Sequence, residues 1–309
     1  MNSPFYYKSF GLTICSDIEL SELTVTYRQP QIKIELNKLL AAEWERISKF
    51  NVRSVVDKDY VMFEVDEIGW FKITGGNYIQ YQPTKSAELK QIKLYLLGTC
   101  VGAILLQRKV LPLHGSAVLI NGKAYAIVGD SGAGKSTLAR ALMEKGYKLI
   151  SDDVLAVSFK EGVPYLSSSY AQQKLWMESL DMFSMDAERY ESIMLRETKF
   201  NVPVKQFYFD GEVELAGVFE LSKADLPQPT INSIQGIGKL PLFFQHTYRK
   251  SFINRMGLAD WHFNTTAGLA GQVDVYQLRR PEKKSTADEL SNMIINTVMK
   301  EDLTYAKAE

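Results

Sequence analysis

Residues 124–158 read AYAIVGDSGAGKSTLARALMEKGYKLISDDVLAVS. An apolar run typical of a strand, Tyr125–Val128, leads into a glycine-rich octapeptide, and a helix-type run, Leu138–Lys145, follows it. Gly146 comes directly after that run, at a position where glycine commonly ends a helix. A short apolar run then ends in Ser151-Asp152-Asp153. The stretch therefore predicts a strand, a loop, a helix and a second strand that carries two carboxylates.

The octapeptide Gly129–Ser136 matches G-x-x-x-x-G-K-[ST], the pattern of a P-loop. Its glycines let consecutive backbone N–H groups point at phosphate oxygens, and the new helix adds its positive end. We expect Lys135 to reach the β- and γ-phosphates of ATP or another nucleoside triphosphate, and the Ser136 hydroxyl to hold Mg²⁺. A chance match in a glycine-rich turn is the alternative, and the flanking elements argue against it. The predicted nucleotide-binding residues are Gly129, Asp130, Ser131, Gly132, Ala133, Gly134, Lys135, Ser136 and Thr137.

The chain has 309 residues, of which 46% are hydrophobic, enough for a globular protein of one large or two ordinary domains. Lys and Arg total 36, as do Asp and Glu, so there is no bulk positive charge to bind nucleic acid or an anionic membrane. Cys15 and Cys100 lie far apart, which suits a reduced protein better than a disulfide scaffold. The start of the chain lacks the features of a signal peptide, and the longest apolar stretch, Leu94–Leu106, is shorter than the roughly 18 residues that span a bilayer. We therefore expect a soluble cytoplasmic protein with no nucleic-acid or membrane partner.

Residues 1–86 alternate short β-type runs with turns and form the first predicted domain, a strand-rich α+β unit with mostly antiparallel strands. One helix is expected at Leu39–Phe50. Two roles remain open for this domain, a purely structural one and the docking of an acceptor in front of the nucleotide site. The expected strands are Phe10–Ile14, Ile32–Leu36, Val52–Val56, Tyr60–Val65, Trp70–Thr74 and Tyr78–Gln82.

Residues 87–309 form the second predicted domain, which carries the nucleotide site. It begins with a long, mostly buried helix over Ala87–Arg108. The aromatic run Phe207-Tyr208-Phe209 is typical of a core strand, with stacking on a base or a peptide side chain as the alternative. Further helical stretches are expected at Gln172–Leu180, at Ala187–Leu195, after Pro241 with His246 and Arg249 one turn apart, and at Thr286–Met299. Further strands are expected at Tyr147–Ile150, Val154–Phe159, Val163–Leu166, Val213–Leu221 and Val273–Leu278.

A hairpin is expected directly before the P-loop. Two apolar runs, Ser116–Ile120 and Lys123–Val128, flank Asn121-Gly122, the strongest short-range signal for a two-residue turn. In an antiparallel pair the start of one strand lies beside the end of the other. His114 is therefore predicted to lie close to the P-loop.

Charged residues complete the predicted site. Asp152 and Asp153 end the strand that follows the P-loop helix, and carboxylates there suit Mg²⁺, which prefers hard oxygen ligands. Arg249 is the best candidate for a second cation on the phosphates, because phosphoryl transfer spreads charge that Lys135 alone would not neutralise. An ordinary surface arginine is the alternative. The three histidines and two cysteines are not clustered, so no zinc site is expected.

In order and close spacing, His114-Gly115, the octapeptide Gly129–Ser136 and Leu149–Asp153 resemble the catalytic domain of HPr kinase/phosphorylase. The resemblance covers residues 110–160 well and the rest of the chain weakly. It implies an α/β P-loop core related to phosphoenolpyruvate carboxykinase, behind the strand-rich first domain. It also implies ATP- and Mg²⁺-dependent transfer of a phosphoryl group to a serine hydroxyl of a peptide or small protein. A homo-oligomer is compatible with this resemblance.

Matching positions carry the roles of this family onto single residues. Asp152 would handle the serine proton, Asp153 would be the Mg²⁺ partner with Ser136, and His114 would lie near the transferred phosphoryl group. The resemblance does not decide which aspartate is the base and which the metal partner, and whether the reverse phosphorylase reaction occurs is open.

The chain also departs from HPr kinase/phosphorylase. The segment after Asp153 lacks the glycine-rich signature of those enzymes, and the first 80 residues do not resemble their regulatory domain. As a whole the chain looks more like stand-alone homologues found with ribosomal peptide biosynthesis, including kinases that phosphorylate the C-terminal serine of lasso-peptide precursors. The alternatives are a kinase for a small-molecule hydroxyl group and a non-catalytic module that switches on nucleotide binding.

Overall fold

The computed structural model describes residues 3–48, 52–193, 196–282 and 285–305. By the proximity of its Cα atoms the chain divides into two compact units. The first comprises Met1–Pro112 and Thr247–Thr266, and the second comprises Leu113–His246 and Ala267–Glu309. The sequence suggests a division after residue 86, whereas by proximity the helix that follows and residues 247–266 group with the first unit.

The first unit is built on one mixed sheet with the strand order β3-β1-β2-β4-β8-β7-β6-β5. Its strands are β1 (Phe5–Ser9), β2 (Leu12–Ser16), β3 (Thr24–Val25), β4 (Ile32–Leu36), β5 (Ser54–Asp57), β6 (Tyr60–Val65), β7 (Gly69–Thr74) and β8 (Tyr78–Pro83). The hairpins pair antiparallel, as predicted, whereas β4 pairs in parallel with β2 and with β8. Buried Ile32 and Ile34 alternate with more exposed neighbours along β4, so one face of the strand packs inward.

The prediction of a single strand over Phe10–Ile14 is wrong. Phe10 has a φ of 55° and Gly11 a φ of 73°, so the chain turns there and joins β1 to β2. Positive φ at both central residues is the geometry of a two-residue hairpin turn. An aromatic residue is unusual at such a position, which is why the apolar pattern concealed the turn.

Helix α1 spans Leu40–Ile47, within the predicted Leu39–Phe50, of which the last two residues lie outside the described ranges. Leu40 and Trp44 stand one turn apart and both pack against Met62 of β6. This helix is therefore stabilised by its buried apolar face on the sheet.

Helix α2 spans Leu89–Gln107, as predicted, and contains a π-helical turn at Leu96–Cys100. Its end is bonded to the first sheet, because the Gly76 N–H donates to Gln107 Oε1 at 2.9 Å. The ring of Tyr95 lies 5.5 Å from that of Phe71 on β7. These contacts explain why α2 groups with the strands that precede it.

By length and composition α2 could cross a membrane, with a mean hydropathy of 1.5. However, 72% of that apolar window is buried inside the structure. A core helix of a soluble protein has the same character, so the composition of α2 is weak evidence for a membrane span.

The second unit is built around the hairpin that precedes the P-loop. Its elements are β9 (Leu111–Ile120), β10 (Lys123–Val128), α3 (Lys135–Glu144), β11 (Lys148–Lys160), β12 (Val163–Ser167), β13 (Gln172–Trp176), α4 (Met177–Met182), β14 (Glu191–Ile193), β15 (Arg196–Pro203), β16 (Glu212–Ala224), β17 (Thr230–Ile234) and α5 (Lys239–Gln245). The chain continues with α6 (Ser251–Arg255), α7 (Ala259–Gln272), β18 (Asp274–Pro281) and α8 (Ala287–Tyr305). Asn121 and Gly122 both have positive φ, which confirms the predicted hairpin turn between β9 and β10.

The main sheet of this unit has the order β10-β9-β11-β12-β16-β18-β17. Strand β10 also pairs in parallel with β16, so β10, β9, β11, β12 and β16 close a ring. Apolar residues of β10 and β16, such as Ile127 and Phe219, share one core with Leu138 and Leu142 of α3 and with Ile294 of α8. A second sheet of this unit, with the order β13-β15-β14, is called the small sheet below.

Three helical predictions need correction. Gln172–Leu180 is a strand (β13) followed by the short helix α4, because Gln173 and Leu175 are buried and alternate with more exposed neighbours in a sheet with β15. Ala187–Leu195 contains a 3-10 turn and the strand β14, and residues 194 and 195 lie outside the described ranges. The helix after Pro241 ends at Gln245, so it does not place His246 and Arg249 on one helical turn.

Three strand predictions also differ from the structure. The predicted strands Tyr147–Ile150 and Val154–Phe159 merge into one long strand, β11, which begins at Lys148 and in which Asp153 has a φ of 76°. The residues Phe207–Phe209 start in a 3-10 turn and are partly buried, so they do not form the expected core strand.

Candidate active site

The P-loop joins the end of β10 to the start of α3, as the sequence predicts. Gly129, Gly132 and Gly134 all have positive φ, and Gly134 caps the helix. At Gly129 a Cβ atom would lie 2.3 Å from the carbonyl oxygen of Leu221 on β16, so no other residue fits there without a shift. Asp130, at the tip of the loop, is exposed.

Lys135 is the first residue of α3, and its side chain folds back over the loop. Its Nζ donates to the carbonyl oxygens of Gly129 at 2.9 Å and Asp130 at 3.1 Å. Burial lowers the pKa of Lys135, and the nearby carboxylates of Asp152 and Asp153 partly offset that effect. The ammonium group is thus held at the loop that would bind the phosphates.

Asp152 is almost fully buried between the loop and the small sheet. Its Oδ1 accepts from Ser116 Oγ at 2.5 Å and from Ser136 Oγ at 2.9 Å. Its Oδ2 accepts from the backbone N–H of Lys174 at 2.8 Å. The carboxylate is therefore fixed on both oxygens, directly beside the hydroxyl that is expected to hold Mg²⁺.

Asp153 contacts two basic side chains, those of Lys174 and His114. Its Oδ2 is 2.6 Å from Lys174 Nζ, and its Oδ1 is 3.5 Å from His114 Nδ1. Burial by itself would raise the pKa of this carboxyl, but the charges of Lys174, His114 and Lys199 outweigh it and hold the pKa well below the usual range. Asp153 is thus an ionised carboxylate and a weak base.

His114 of β9 lies beside the carboxylates, as the hairpin geometry predicts. Its Nδ1 is 2.9 Å from the backbone carbonyl oxygen of Asp153. A carbonyl oxygen only accepts, so Nδ1 carries the proton and Nε2 has the lone pair in this arrangement. Burial, followed by the charge of Lys135, lowers the pKa of His114, which favours the neutral imidazole near pH 7.

The described residues contain no group of three or more His, Cys, Asp or Glu side chains that could hold a metal ion by themselves. A nucleotide-bound Mg²⁺ does not require such a group, because phosphate oxygens and water supply most of its ligands. The Ser136 hydroxyl and the two adjacent carboxylates are hard oxygen donors of the type that Mg²⁺ prefers. In the structure Ser136 contacts Asp152, whereas Asp153 contacts Lys174 and His114.

Arg249, the predicted second cation, belongs to the first unit. Its guanidinium donates to Thr99 of α2 and lies 5.2 Å from the ring of Tyr248. Arg249 has a φ of 55°, and the backbone N–H of Tyr248 bonds to Pro112. The chain thus turns sharply after α5, which explains why Arg249 does not continue that helix.

The structure adds Gln173, Ser179 and Arg280 to the residues that the sequence predicts for this site. Gln173 Nε2 donates to the Ser136 carbonyl at 2.8 Å, and Thr137 Oγ1 is 2.8 Å from Ser179 Oγ. Arg280 Nε of β18 donates to the carbonyl of Ala133 in the loop at 2.8 Å. The alternating pattern of Gln172–Trp176 was the available signal for the first of these, since it is compatible with a strand.

A separate polar group lies on β16, at the level of Val128, where the loop begins. Glu220 accepts from His246 Nε2 at 3.1 Å and from Gln277 at 3.3 Å. The hydrogen bond from His246 is the main cause that lowers the pKa of Glu220. The backbone carbonyl of His246 in turn accepts from the N–H of His114 at 2.8 Å, which ties the end of α5 to β9.

No family model matches this chain. Three curated relatives with short matching segments are named HPr kinase/phosphorylase. The protein of Mycoplasmopsis pulmonis is 47% identical over 64 residues, which are 20% of this chain and 21% of the relative. That of Treponema pallidum is 44% identical over 50 residues, 16% of each chain, and that of Chloroherpeton thalassium is 33% identical over 75 residues, 24% of this chain and 22% of the relative.

Among solved structures, the Hpr(Ser) kinase/phosphatase of Coxiella burnetii matches 63% of this chain and 98% of its own. The sequence identity is 14% and the TM-score is 0.34. The segments that match the curated relatives span about a fifth of the length of those relatives. Over that segment, this mixed α/β protein is similar in sequence to HPr kinase/phosphorylases.

Proposed function

We propose that this protein is an ATP- and Mg²⁺-dependent kinase that transfers the γ-phosphoryl group to a serine hydroxyl of a peptide or small protein. The observation that carries the proposal is the convergence of Lys135, Asp152, Asp153 and His114 beside the P-loop. The similarity of part of the chain to HPr kinase/phosphorylases supports the same reaction class. On the same basis we propose a P-loop core related to phosphoenolpyruvate carboxykinase.

The transfer forms a bond between the serine oxygen and the γ-phosphorus and breaks the bond to the bridging oxygen of ADP. The serine proton passes to a base, and most of the acceleration comes from positioning and charge neutralisation. Asp153 suits the role of an ionised metal partner, because its pKa is held low. Asp152, which lies beside the Ser136 hydroxyl, is then the proposed base. Ser136 and Asp153 would hold the Mg²⁺, which would neutralise charge on the phosphates.

His114 is a second candidate for the base. Its neutral imidazole, with the proton on Nδ1, presents a lone pair at Nε2. A comparison of Asp152→Asn with His114→Gln separates the two assignments. The variant that removes the base loses most of the turnover, while the other keeps a larger share of it.

The test of the reaction class is incubation of the full-length protein with ATP, Mg²⁺ and a precursor peptide encoded beside its gene. Mass spectrometry should detect one added phosphate on a serine, and we propose the C-terminal serine of a lasso-peptide precursor as the acceptor. Free serine in place of the peptide tests the small-molecule alternative. Absence of phosphorylation on every neighbouring acceptor, with ATP still bound, would favour a nucleotide-dependent switch instead.

A further inference from the structure

Arg280 connects the P-loop to a strand that comes much later in the chain. It lies near the end of β18, opposite Lys223 of β16. Its Nε donates to the backbone carbonyl oxygen of Ala133 at 2.8 Å, and its Nη1 donates to that of Pro281 at 3.0 Å. A Cβ atom built on Gly134 would lie 3.7 Å from Nε. The guanidinium group is therefore packed against the peptide that joins Ala133 to Gly134.

The hydrogen bond from Arg280 fixes the direction of this peptide. The peptide is trans, so its C=O and N–H bonds point in opposite directions. Because the Ala133 carbonyl oxygen points to Arg280 of β18, the Gly134 N–H points away from β18. This N–H directly precedes Lys135 in the P-loop pattern, and we expect it to be one of those that bind phosphate oxygens.

The same peptide would rotate easily without a partner. Gly134 has a φ of 108°, in a region that favours glycine, and a residue without a Cβ atom tolerates a wide range of φ. A peptide rotates when ψ of the residue before it and φ of the residue after it change together. In the rotated form the Ala133 carbonyl oxygen would take the place of the Gly134 N–H. Its partial negative charge would repel an anion there.

An arginine is well suited to prevent this rotation. A guanidinium group stays charged in a partly buried position, and a hydrogen bond from a charged donor is roughly twice as strong as one from a neutral donor. The strand that carries Arg280 is also fixed, because β18 pairs in parallel with β16, and β16 pairs in parallel with β10, which leads into the loop. The hydrogen bond thus ties the loop to the sheet from which it emerges.

We propose that Arg280 is a positioning residue that holds the Ala133–Gly134 peptide in the orientation in which the Gly134 N–H can bind a phosphate group of the nucleotide. Arg280 acts on the carbonyl side of the peptide and does not itself contact the phosphates. The loop is then organised for an anion before the nucleotide binds, which avoids the cost of rotating the peptide during binding. This inference rests on the proposed function in so far as a nucleotide is the ligand, and it does not depend on the acceptor.

The test measures the binding of ATP and ADP, each with Mg²⁺, by calorimetry. Arg280→Met keeps the apolar part of the side chain and removes its donors. We expect it to weaken the binding of ATP and ADP alike, by about tenfold, because both nucleotides carry the phosphates that the loop binds. Arg280→Lys retains a charged donor and should recover part of the affinity. Arg279→Met, at an exposed arginine that points to the opposite face of β18, is the matched control and should bind both nucleotides as the wild type does.

Two further measurements distinguish positioning from a general loss of structure. NMR of a protein labelled with ¹³C at alanine carbonyls and ¹⁵N at glycines observes the Ala133–Gly134 peptide directly. In Arg280→Met its signal should shift or split without nucleotide and return toward the wild-type position at saturating ADP. In assays with an acceptor, the KM for ATP should rise while kcat stays close to that of the wild type, because the peptide would bind the ground state and the transition state equally.

Several results would overturn the inference. Weaker binding of ATP with unchanged binding of ADP would mean that Arg280 contacts the γ-phosphate directly. Unchanged binding of both nucleotides would mean that the peptide is oriented without Arg280. Weaker binding with an unshifted peptide signal would indicate only the loss of a positive charge. If the wild type binds nucleotide and phosphorylates no acceptor, while Arg280→Met gives the expected binding and NMR results, the inference is supported and the proposed kinase activity is contradicted.

Discussion

The two sides of the candidate site are built in different ways. On the loop side, Gly129–Ser136 and the start of α3 form a local structure, in which one turn of the chain presents backbone N–H groups and Lys135. On the other side, the small sheet supplies Gln173 and Lys174 from β13, which pairs with β15 about twenty residues further along the chain. The loop side thus depends on backbone conformation, and the sheet side depends on register and ion pairing.

Asp152 contacts both sides of the site, through Ser136 and Lys174, so its substitution should have the largest effect on activity. Asp152→Asn keeps the shape of the side chain but removes the charge and the proton acceptor. We expect phosphoryl transfer to fall roughly a thousandfold while ATP binding changes by only a few-fold. Single-turnover assays and calorimetry measure the two quantities separately.

Asp181→Asn, at an exposed carboxylate of α4, is the control and should behave like the wild type. If Asp152→Asn retains most of the turnover while His114→Gln loses it, then His114 of β9 is the base and Asp152 is not.

Substitutions at two glycines of the P-loop distinguish the cost of an unfavourable backbone conformation from the cost of a tertiary clash. Gly129→Ala should lower the free energy of unfolding by about 2–4 kcal/mol, because the added Cβ meets the Leu221 carbonyl at 2.3 Å and φ is 150°. Gly132→Ala has positive φ but nothing within 4 Å, so it should cost about 1 kcal/mol. Chemical denaturation measures both, and equal losses would mean that β16 does not constrain the loop.

Lys174→Met breaks the sheet side alone. We expect the free energy of unfolding to fall by about 2 kcal/mol, because the partly buried charge of Asp153 loses its lysine partner. The side chains of Lys174 and Asp153 are 12% and 22% exposed, and this contact with solvent reduces the cost. The double variant Lys174→Met/Asp153→Asn removes that charge and should recover most of the stability. A double-mutant cycle that gives no coupling energy between the two residues would contradict this account.

The smallest effect is expected at Glu220, which touches neither side. The His246 hydrogen bond lowers the pKa of Glu220 below its ordinary value of 4.5, so the folded state is stabilised above that pH. The free energy of unfolding of Glu220→Gln should therefore be lower than that of the wild type at pH 7, by less than about 1 kcal/mol. The difference should shrink as the pH falls through the lowered pKa of Glu220. Urea denaturation between pH 3 and pH 7 tests this, since a constant difference would argue against the hydrogen bond to His246.

Local patterns allowed the loop side to be predicted. Asn121-Gly122 favours one hairpin turn, and that turn sets the register that brings His114 to the end of β10. Gly146 has a φ of 94°, in agreement with the predicted end of α3. Each of these features depends on a few neighbouring residues, so the sequence carried enough information.

The small sheet was not predicted, because its residues have no strong local preference for a strand. Gln, Lys and Leu in Gln172–Trp176 are good helix formers, and the pairing of this segment with β15 decides its conformation. Phe10 is a similar case, since its apolar side chain favours a strand while the pairing of β1 with β2 places it in a turn.

The sequence by itself determined the glycine-rich loop Gly129–Ser136, the hairpin before it, the helix after it and the aspartate pair, because glycine spacing and apolar periodicity act over a few residues. Only the tertiary structure decided that Asp152 faces Ser136 while Asp153 faces Lys174 and His114. It also decided that Arg249 groups with the first unit. These placements follow from strand register and long-range pairing, which no local pattern encodes.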